Sequence, residues 1–166
     1  MILELRTVHR THGRGEAAVH ALRGIDLAVQ PGELVAVMGP SGSGKSTLLN
    51  LAGGLDRPTS GDVYIEGAHL GAMTRRQLAA LRRRRIGYVF QDLNLLPSLT
   101  AAENVALPLE LDGLSVRKAR TLALAALSEV DLDGYAGRFP DDMSGGQQQR
   151  VAIARALIGD STRPVH

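Results

Sequence analysis

A glycine-rich loop between an apolar run and a helix is the feature that most constrains the fold of this chain. Residues 34–38 read Leu-Val-Ala-Val-Met, and residues 39–46 follow as Gly-Pro-Ser-Gly-Ser-Gly-Lys-Ser. A continuous apolar run is typical of a strand buried on both faces of a parallel sheet. From Lys45 onward the pattern predicts a helix that ends at Gly53 and Gly54. The spacing therefore matches G-x-x-x-x-G-K-[ST] in the strand-to-helix context that gives this motif its meaning.

Residues 39–46, the glycine loop, have the chemistry of a phosphate cradle. Glycines let backbone N–H groups turn inward around a phosphate, and the helix N-terminus adds its positive end. Lys45 can then reach the β- and γ-phosphates of a nucleotide, while the Ser46 hydroxyl can ligate Mg²⁺. The alternative is a chance glycine turn, which the predicted strand and helix on either side disfavour. The predicted nucleotide-binding residues are Gly39, Ser41, Gly42, Gly44, Lys45, Ser46 and Thr47.

A second pair of glycines lies near the end of the sequence, in Ser144-Gly145-Gly146-Gln147. Ser-x-x-Gln is in itself a capping box for the helix that we expect from Gly145 to Ile158. That structural explanation leaves the glycines unaccounted for, because each costs about 1 kcal/mol relative to alanine in a helix. A phosphate that must come close to the backbone at a helix N-terminus would account for them.

Composition limits the class of protein. The chain has 166 residues, of which 44% are hydrophobic and 22% charged, as expected for one globular domain. It has no cysteine, which excludes disulfides and thiolate metal sites and fits a reducing compartment. No apolar run approaches the ~20 residues of a membrane span. We therefore expect a cytoplasmic protein that reaches the membrane only through a partner.

Charge and aromatic content argue against a nucleic-acid partner. The net charge is +2, and a run of four arginines, residues 82–85, contributes much of the positive charge. Such a run could contact nucleic acid or anionic lipid, but a solvated end of a helix is the preferred interpretation. Aromatic residues make up 3% of the chain, which leaves little surface on which bases could stack.

The remaining pattern predicts strands first and helices later. Alternation predicts strands at residues 3–9, 22–29 and 63–65, and an apolar run predicts another at 86–90. Capping boxes at Thr74 with Gln77 and at Thr100 with Glu103 predict helix starts. Helical spacing dominates after Gln91, so we expect a helical subdomain at about residues 92–143 inside a single domain.

The segment 143–157, Met-Ser-Gly-Gly-Gln-Gln-Gln-Arg-Val-Ala-Ile-Ala-Arg-Ala-Leu, closely resembles the signature motif of ATP-binding cassette (ABC) transporter ATPases. The resemblance covers residues 3–159 and implies an α/β P-loop NTPase fold with an N-terminal antiparallel β part and a helical subdomain. It implies ATP and Mg²⁺ as cofactors, a transmembrane permease as partner, and a homodimer. In that dimer Ser144, Gly145, Gly146 and Gln147 of one subunit close over ATP held by the glycine loop of the other.

The resemblance adds roles for two residues outside the glycine motifs. Gln91 follows Tyr88-Val89-Phe90 and matches the glutamine that contacts Mg²⁺ and the attacking water in this family. His12 stands where the family usually has an aromatic residue that stacks on adenine; a solvated loop residue is an equally good interpretation. Residues 92–109 resemble the lipoprotein-release, macrolide-export and cell-division subfamily. We expect this segment to dock a helix of the membrane subunit, with contacts from Leu95 and Leu99.

The resemblance also implies catalytic groups that the sequence does not supply up to His166. The family has an apolar strand with an Asp for Mg²⁺ and a Glu that polarises water, followed later by a switch histidine. Asp160 and His166 do not follow such a strand, so neither is assigned these roles. We therefore expect an incomplete cassette of low stability, in which residues 34–38 lack neighbouring strands and ATP hydrolysis is far slower than in the family.

Two alternatives remain beside a transporter subunit. One is a nonfunctional truncated remnant of a transporter gene. The other is a DNA-maintenance ATPase, a class in which a long coiled coil separates the residues that correspond to Gln91 and Ser144. The short heptad-free segment between these two residues disfavours the second alternative.

Overall fold

An antiparallel sheet forms the first part of the molecule. The computed structural model describes residues 1–159, and contacts divide them into two units, Met1–Leu78 and the residues from Ala79 onward. The strands β1 (Leu3–His12), β2 (Val19–Val29), β3 (Ser60–Ile65) and β4 (Ala68–His69) lie in the order β2-β1-β3-β4. Every pairing is antiparallel, which confirms the predicted N-terminal antiparallel β part.

A bulge at Thr7 bends this sheet. Thr7 has a φ of 45°, and the register of β1 shifts beside it against both β2 and β3. The Thr7 N–H donates to Asp26 Oδ1 at 2.7 Å, so a side chain satisfies the donor that leaves the ladder. On the other side Gly61, with φ +83°, comes so close that a Cβ would lie 2.3 Å from the Thr7 carbonyl oxygen. Only glycine fits this crossing of β1 and β3.

The helix α1 (Lys45–Ala52) packs against β1, β2 and β3 and closes the core of the first unit. It begins and ends where the glycine pattern predicted, with Gly44 and Gly53 as its caps. The buried residues of this core come from the sheet, from α1 and from the segment after β4: Leu5, Val8, Leu22, Leu51, Val63, Ile65, Leu70 and Leu78.

The strands predicted at residues 34–38 and 86–90 are absent from the part of the chain that the structure describes. Leu34 is 96% exposed and Met38 87%, so the run before the glycine loop is not buried on two faces. A strand of a parallel sheet exists only where neighbouring strands supply its hydrogen bonds, and neither run belongs to the described sheet. The exposure bears out the expectation of an uncovered apolar run at residues 34–38.

Three helices form the core of the second unit. The helices α3 (Ala101–Leu111), α4 (Val116–Ser128) and α5 (Gly145–Leu157) pack pairwise around a buried apolar cluster. Thr100 and Ser144 cap α3 and α5 through reciprocal bonds with Glu103 and Gln147, as predicted. The proposed limits of a helical subdomain, about residues 92–143, stay a prediction. Asp160 and His166 lie outside the described residues.

The arginine run forms the last turn of the remaining helix, α2 (Arg75–Arg85), whose N-terminal bonds join Thr74 and Gln77 as predicted. The run lies at the end of a helix, as interpreted, and two of its residues also form ion pairs. Arg84 Nε lies 2.8 Å from a carboxylate oxygen of Asp112, and Arg83 Nε lies 3.4 Å from the other oxygen. Asp112 is the C-cap of α3, and its negative charge interacts unfavourably with the negative end of the helix dipole. The two arginines offset this unfavourable interaction.

Candidate nucleotide-binding and signature sites

The glycine loop lies exposed at the N-terminus of α1. Gly42 and Gly44 have φ values of +79° and +93°, in the left-handed region that favours glycine. At Gly44 a Cβ would also lie 2.5 Å from the carbonyl oxygen of Ala21 in β2, so the helix start is held tightly against the sheet. These two positions show why residues 39–46 need glycines to form this turn.

The Lys45 ammonium group folds back over the loop. Its Nζ donates to the carbonyl oxygens of Gly39 and Pro40 at 2.8 and 2.7 Å. A lysine at the first position of a helix would otherwise lie in the dipole field that disfavours cations. The two carbonyl bonds offset this cost and keep the positive charge at the mouth of the loop.

The first turn of α1 has backbone donors that no side chain caps and has no acidic residue. The starts of α3 and α5 are different, since Thr100 and Ser144 each accept a bond from a backbone N–H three residues later. Uncapped N–H groups, a helix dipole and the Lys45 charge together favour an anion at the start of α1. The site thus fits phosphate groups, and the Ser46 hydroxyl is exposed beside them.

His12 ends β1 and pairs with Val19 of β2, with its side chain exposed to solvent. The hydroxyl of the preceding residue, Thr11, lies 3.0 Å from His20 Nδ1. His12 belongs to the same unit as the glycine loop. Both interpretations of His12, an adenine-stacking residue and a solvated one, stay open.

Gly145 and Gly146 occupy the first turn of α5, where nothing in the described chain requires glycine. Both are exposed, neither has a positive φ, and a Cβ added to either would meet no atom within 4 Å. Ser144 N donates to Gln147 Oε1 at 2.8 Å, so the capping box accounts for the serine and the glutamine alone. The described residues therefore show no local conformational or steric reason for these two glycines.

Gln91 is exposed and begins a tight loop, residues 91–96. The Leu93 N–H donates to the Phe90 carbonyl oxygen at 3.0 Å, and the Asn94 N–H donates to that of Asp92 at 2.6 Å. Gln91 and the signature residues belong to the second unit, whereas His12 and the glycine loop belong to the first. Each unit thus carries its own part of the predicted site.

The sequence interpretation overlooked a buried amide that fixes the chain after this loop. Asn104 in α3 is fully buried, and its side-chain oxygen accepts from the Leu96 N–H at 2.8 Å. Its Nδ2 donates to the carbonyl oxygens of Leu96 and Leu99, both at 3.0 Å, and to that of Thr100 at 3.1 Å. The polar residue on the apolar face of α3 was the available sequence signal.

The predicted docking segment, residues 92–109, is only partly available for docking. Leu95 packs against the buried cluster of the second unit, and the α3 part is mostly buried. Leu96 is 43% exposed and stands beside exposed Pro97. Leu95 thus contributes to the packing of this unit, whereas Leu96 is exposed, and docking of a membrane subunit on this segment stays a prediction.

Comparisons with known proteins identify the family. A sequence profile described as ABC transporter matches residues 22–162. The chain belongs to this family. The cassette is 50% identical over 161 residues to the macrolide export ATP-binding/permease protein MacB of Syntrophobacter fumaroxidans. It is also 50% identical over 159 residues to an uncharacterized ABC transporter ATP-binding protein of Thermotoga maritima. Each alignment covers 96% of the chain.

A solved structure confirms the fold of the cassette. The dimeric structure of the ATP-binding cassette MJ0796, in a post-hydrolysis state bound to ADP and Pi, has a TM-score of 0.88 and 46% identity to this chain. The alignment covers 95% of the present chain and 70% of that chain. The chain spans 68% of the Thermotoga relative and 22% of the Syntrophobacter MacB protein.

Among residues 1–159, no helix has the length and apolar character needed to cross a bilayer. The same residues contain no group of three or more His, Asp or Glu side chains that could hold a metal ion.

Proposed function

We propose that this ABC cassette binds Mg-ATP at the glycine loop and acts as the ATP-binding subunit that drives a transmembrane permease. The observation that carries the proposal is the start of α1, where uncapped backbone donors meet the Lys45 ammonium group and no acidic residue is near in sequence. Lys45 would exchange its bonds to the carbonyls of Gly39 and Pro40 for the β- and γ-phosphates.

Ser46 and Gln91 fit the remaining needs of the cofactor. The exposed Ser46 hydroxyl follows Lys45, at the position from which this loop type ligates Mg²⁺. Gln91 would supply its side-chain oxygen to the same ion. Mg²⁺ held there would neutralise negative charge on the β- and γ-phosphates. His12 would contribute a weak stacking contact with adenine.

The two exposed glycines at the start of α5 support a second part of the proposal, a homodimer closed by ATP. In this dimer the backbone of Gly145 and Gly146 approaches the γ-phosphate bound by the partner, at the N-terminus of a helix whose dipole favours an anion. Ser144 and Gln147 hold that helix end in shape. This arrangement explains why residues with no steric need for glycine lack a Cβ.

Isothermal titration with Mg-ATP tests nucleotide binding. Lys45→Ala should weaken binding at least ~100-fold, because it removes the charge-assisted bonds to two phosphates, which are worth about 1.5–3 kcal/mol each. Lys118 is the only other lysine and is exposed on α4, so Lys118→Ala makes the matched control. Equal ATP affinity in the Lys45→Ala and Lys118→Ala proteins would exclude the glycine loop as the nucleotide site.

A further inference from the structure

The last turn of α5 contacts the chain on both sides of Gln91. Before Gln91, a Cβ built on Gly87 would lie 2.3 Å from the carbonyl oxygen of Ala156, so the two backbones are in direct contact. After Gln91, Arg155 Nη2 donates to the Leu93 carbonyl oxygen at 2.5 Å, and Nη1 donates to that of Asn94 at 2.6 Å. One helical turn thus fixes both ends of the segment that carries Gln91.

The backbone held by Arg155 has a conformation that it would not keep unaided. Leu93 and Asn94 have φ values of 57° and 47°, in the left-handed region, which is unfavourable for a leucine above all. Two consecutive residues in this region need outside contacts to stay there. The Arg155 fork supplies two parallel bonds, and burial lowers the pKa of its guanidinium, which nevertheless stays charged.

The same helix carries the signature residues at its other end. Ser144 caps α5, and Arg155 lies in its last turn. An α-helix is stiff over such a length, so displacement of one end displaces the other. These contacts therefore connect the start of α5, with its signature residues, to the loop that begins at Gln91.

We propose that Arg155 is a positioning residue that sets the place of Gln91 and ties it to the signature helix. The inference rests on the proposed function, because it assigns Gln91 to Mg²⁺. Arg155 itself touches neither nucleotide nor metal; it acts by holding the carbonyls of Leu93 and Asn94. The group that Arg155 positions is thus the side-chain amide of Gln91, two residues before Leu93.

Arg150 provides a matched control on the same helix. Its Nη1 donates to the carbonyl oxygens of Val130 and Asp131 at 3.2 and 3.3 Å, and Asp131 also has a φ of 57°. Arg150→Met and Arg155→Met therefore each remove an arginine that holds a left-handed residue. Only the second change should affect the loop at residues 91–96.

Hydrogen exchange of the backbone amides in the 166-residue protein tests the structural step. Arg155→Met should speed exchange at residues 91–96 at least ~10-fold, because the bonds from the Leu93 and Asn94 amides depend on the held conformation. Arg150→Met should leave these amides at the wild-type rate. Equal rates at residues 91–96 in the two variants would overturn the inference. If Arg155→Met fails to fold, Arg155→Lys, which cannot make both bonds, should exchange faster than wild type at residues 91–96, whereas Arg150→Lys should not.

The Mg²⁺ dependence of ATP affinity tests the positioning role itself. In wild type, adding Mg²⁺ should raise the affinity for ATP. Arg155→Met should reduce this increase to the value measured for Gln91→Ala, and it should not weaken ATP binding in the absence of Mg²⁺. If Mg²⁺ raises the ATP affinity of Arg155→Met as much as that of wild type, Arg155 has a purely structural role and the proposal is overturned. The proposed function fails separately, if Lys45→Ala leaves ATP binding unchanged.

Discussion

Replacing Gly146 by alanine should raise the stability of the cassette and weaken the proposed ATP-dependent dimer. Gly146 lies in the first turn of α5, and an added Cβ would meet no atom within 4 Å. Alanine lowers the entropy of the unfolded chain and favours the helix by about 0.5–1 kcal/mol relative to glycine. Because a change of 1 kcal/mol shifts Tm by roughly 2–4 °C in a chain of this size, Tm should rise by about 1–4 °C.

The same methyl group should obstruct a phosphate that binds against the backbone. A bond from an N–H group to a charged oxygen contributes about 1.5–3 kcal/mol, and its loss would weaken dimer formation roughly 10- to 100-fold. Sedimentation with and without Mg-ATP measures the dimer, and a thermal melt without nucleotide measures stability. Lys45→Ala should abolish the dimer in the same assay, since it removes the ATP on which the dimer depends.

Gly137→Ala is the matched control for Gly146→Ala. Gly137 is an exposed glycine of the same unit, has no positive φ and has nothing within 4 Å of its added Cβ. It lies outside α5, so its replacement should leave the proposed ATP-dependent dimer at wild-type strength. The reasoning is refuted if Gly146→Ala dimerises like Gly137→Ala, or if Gly146→Ala lowers Tm.

The remaining predictions concern the acidic end of α3 and the exposed loop. Hydrogen bonding and charge from Arg84 lower the pKa of Asp112, so its stabilising effect exists above the ordinary carboxyl pKa and disappears as pH falls through the lower folded value. Asp112→Asn should cost about 0.5–1 kcal/mol of unfolding free energy at pH 7 and progressively less as the pH falls in urea titrations; a constant difference would contradict this pairing. Leu96→Glu should prevent co-purification with the cognate membrane permease, whereas Leu124→Glu should not, since each leucine is 43% exposed but Leu124 lies on α4. Equal recovery would reject the loop as the docking surface.

Local chemistry made several parts of the structure predictable from sequence. The helix starts at Lys45, Ala101 and Gly145 follow from residues within one turn of each cap: Gly44, Thr100 with Glu103, and Ser144 with Gln147. The alternation in β1 and β2 likewise reflects one buried face of a sheet. The residue types of the glycine loop already specified its left-handed turns, because other side chains strongly disfavour them.

Contacts between residues that are distant in sequence decided the parts of the structure that the sequence did not predict. The apolar runs at residues 34–38 and 86–90 have strand character, but a strand also needs neighbouring strands, and neither run is part of the described sheet. The helices also determine which of two adjacent leucines is exposed, since Leu95 packs against their buried cluster and Leu96 is 43% exposed.

The sequence by itself determined the family, the glycine loop and the signature helix, since short motifs hold the residues that each of them requires. Only the tertiary structure showed that Arg155 holds the loop after Gln91, because the bonded residues are 61 and 62 positions apart. No pattern of neighbouring residues records such a contact. It forms when packing of α5 brings its last turn against Gly87 and the left-handed backbone of Leu93 and Asn94.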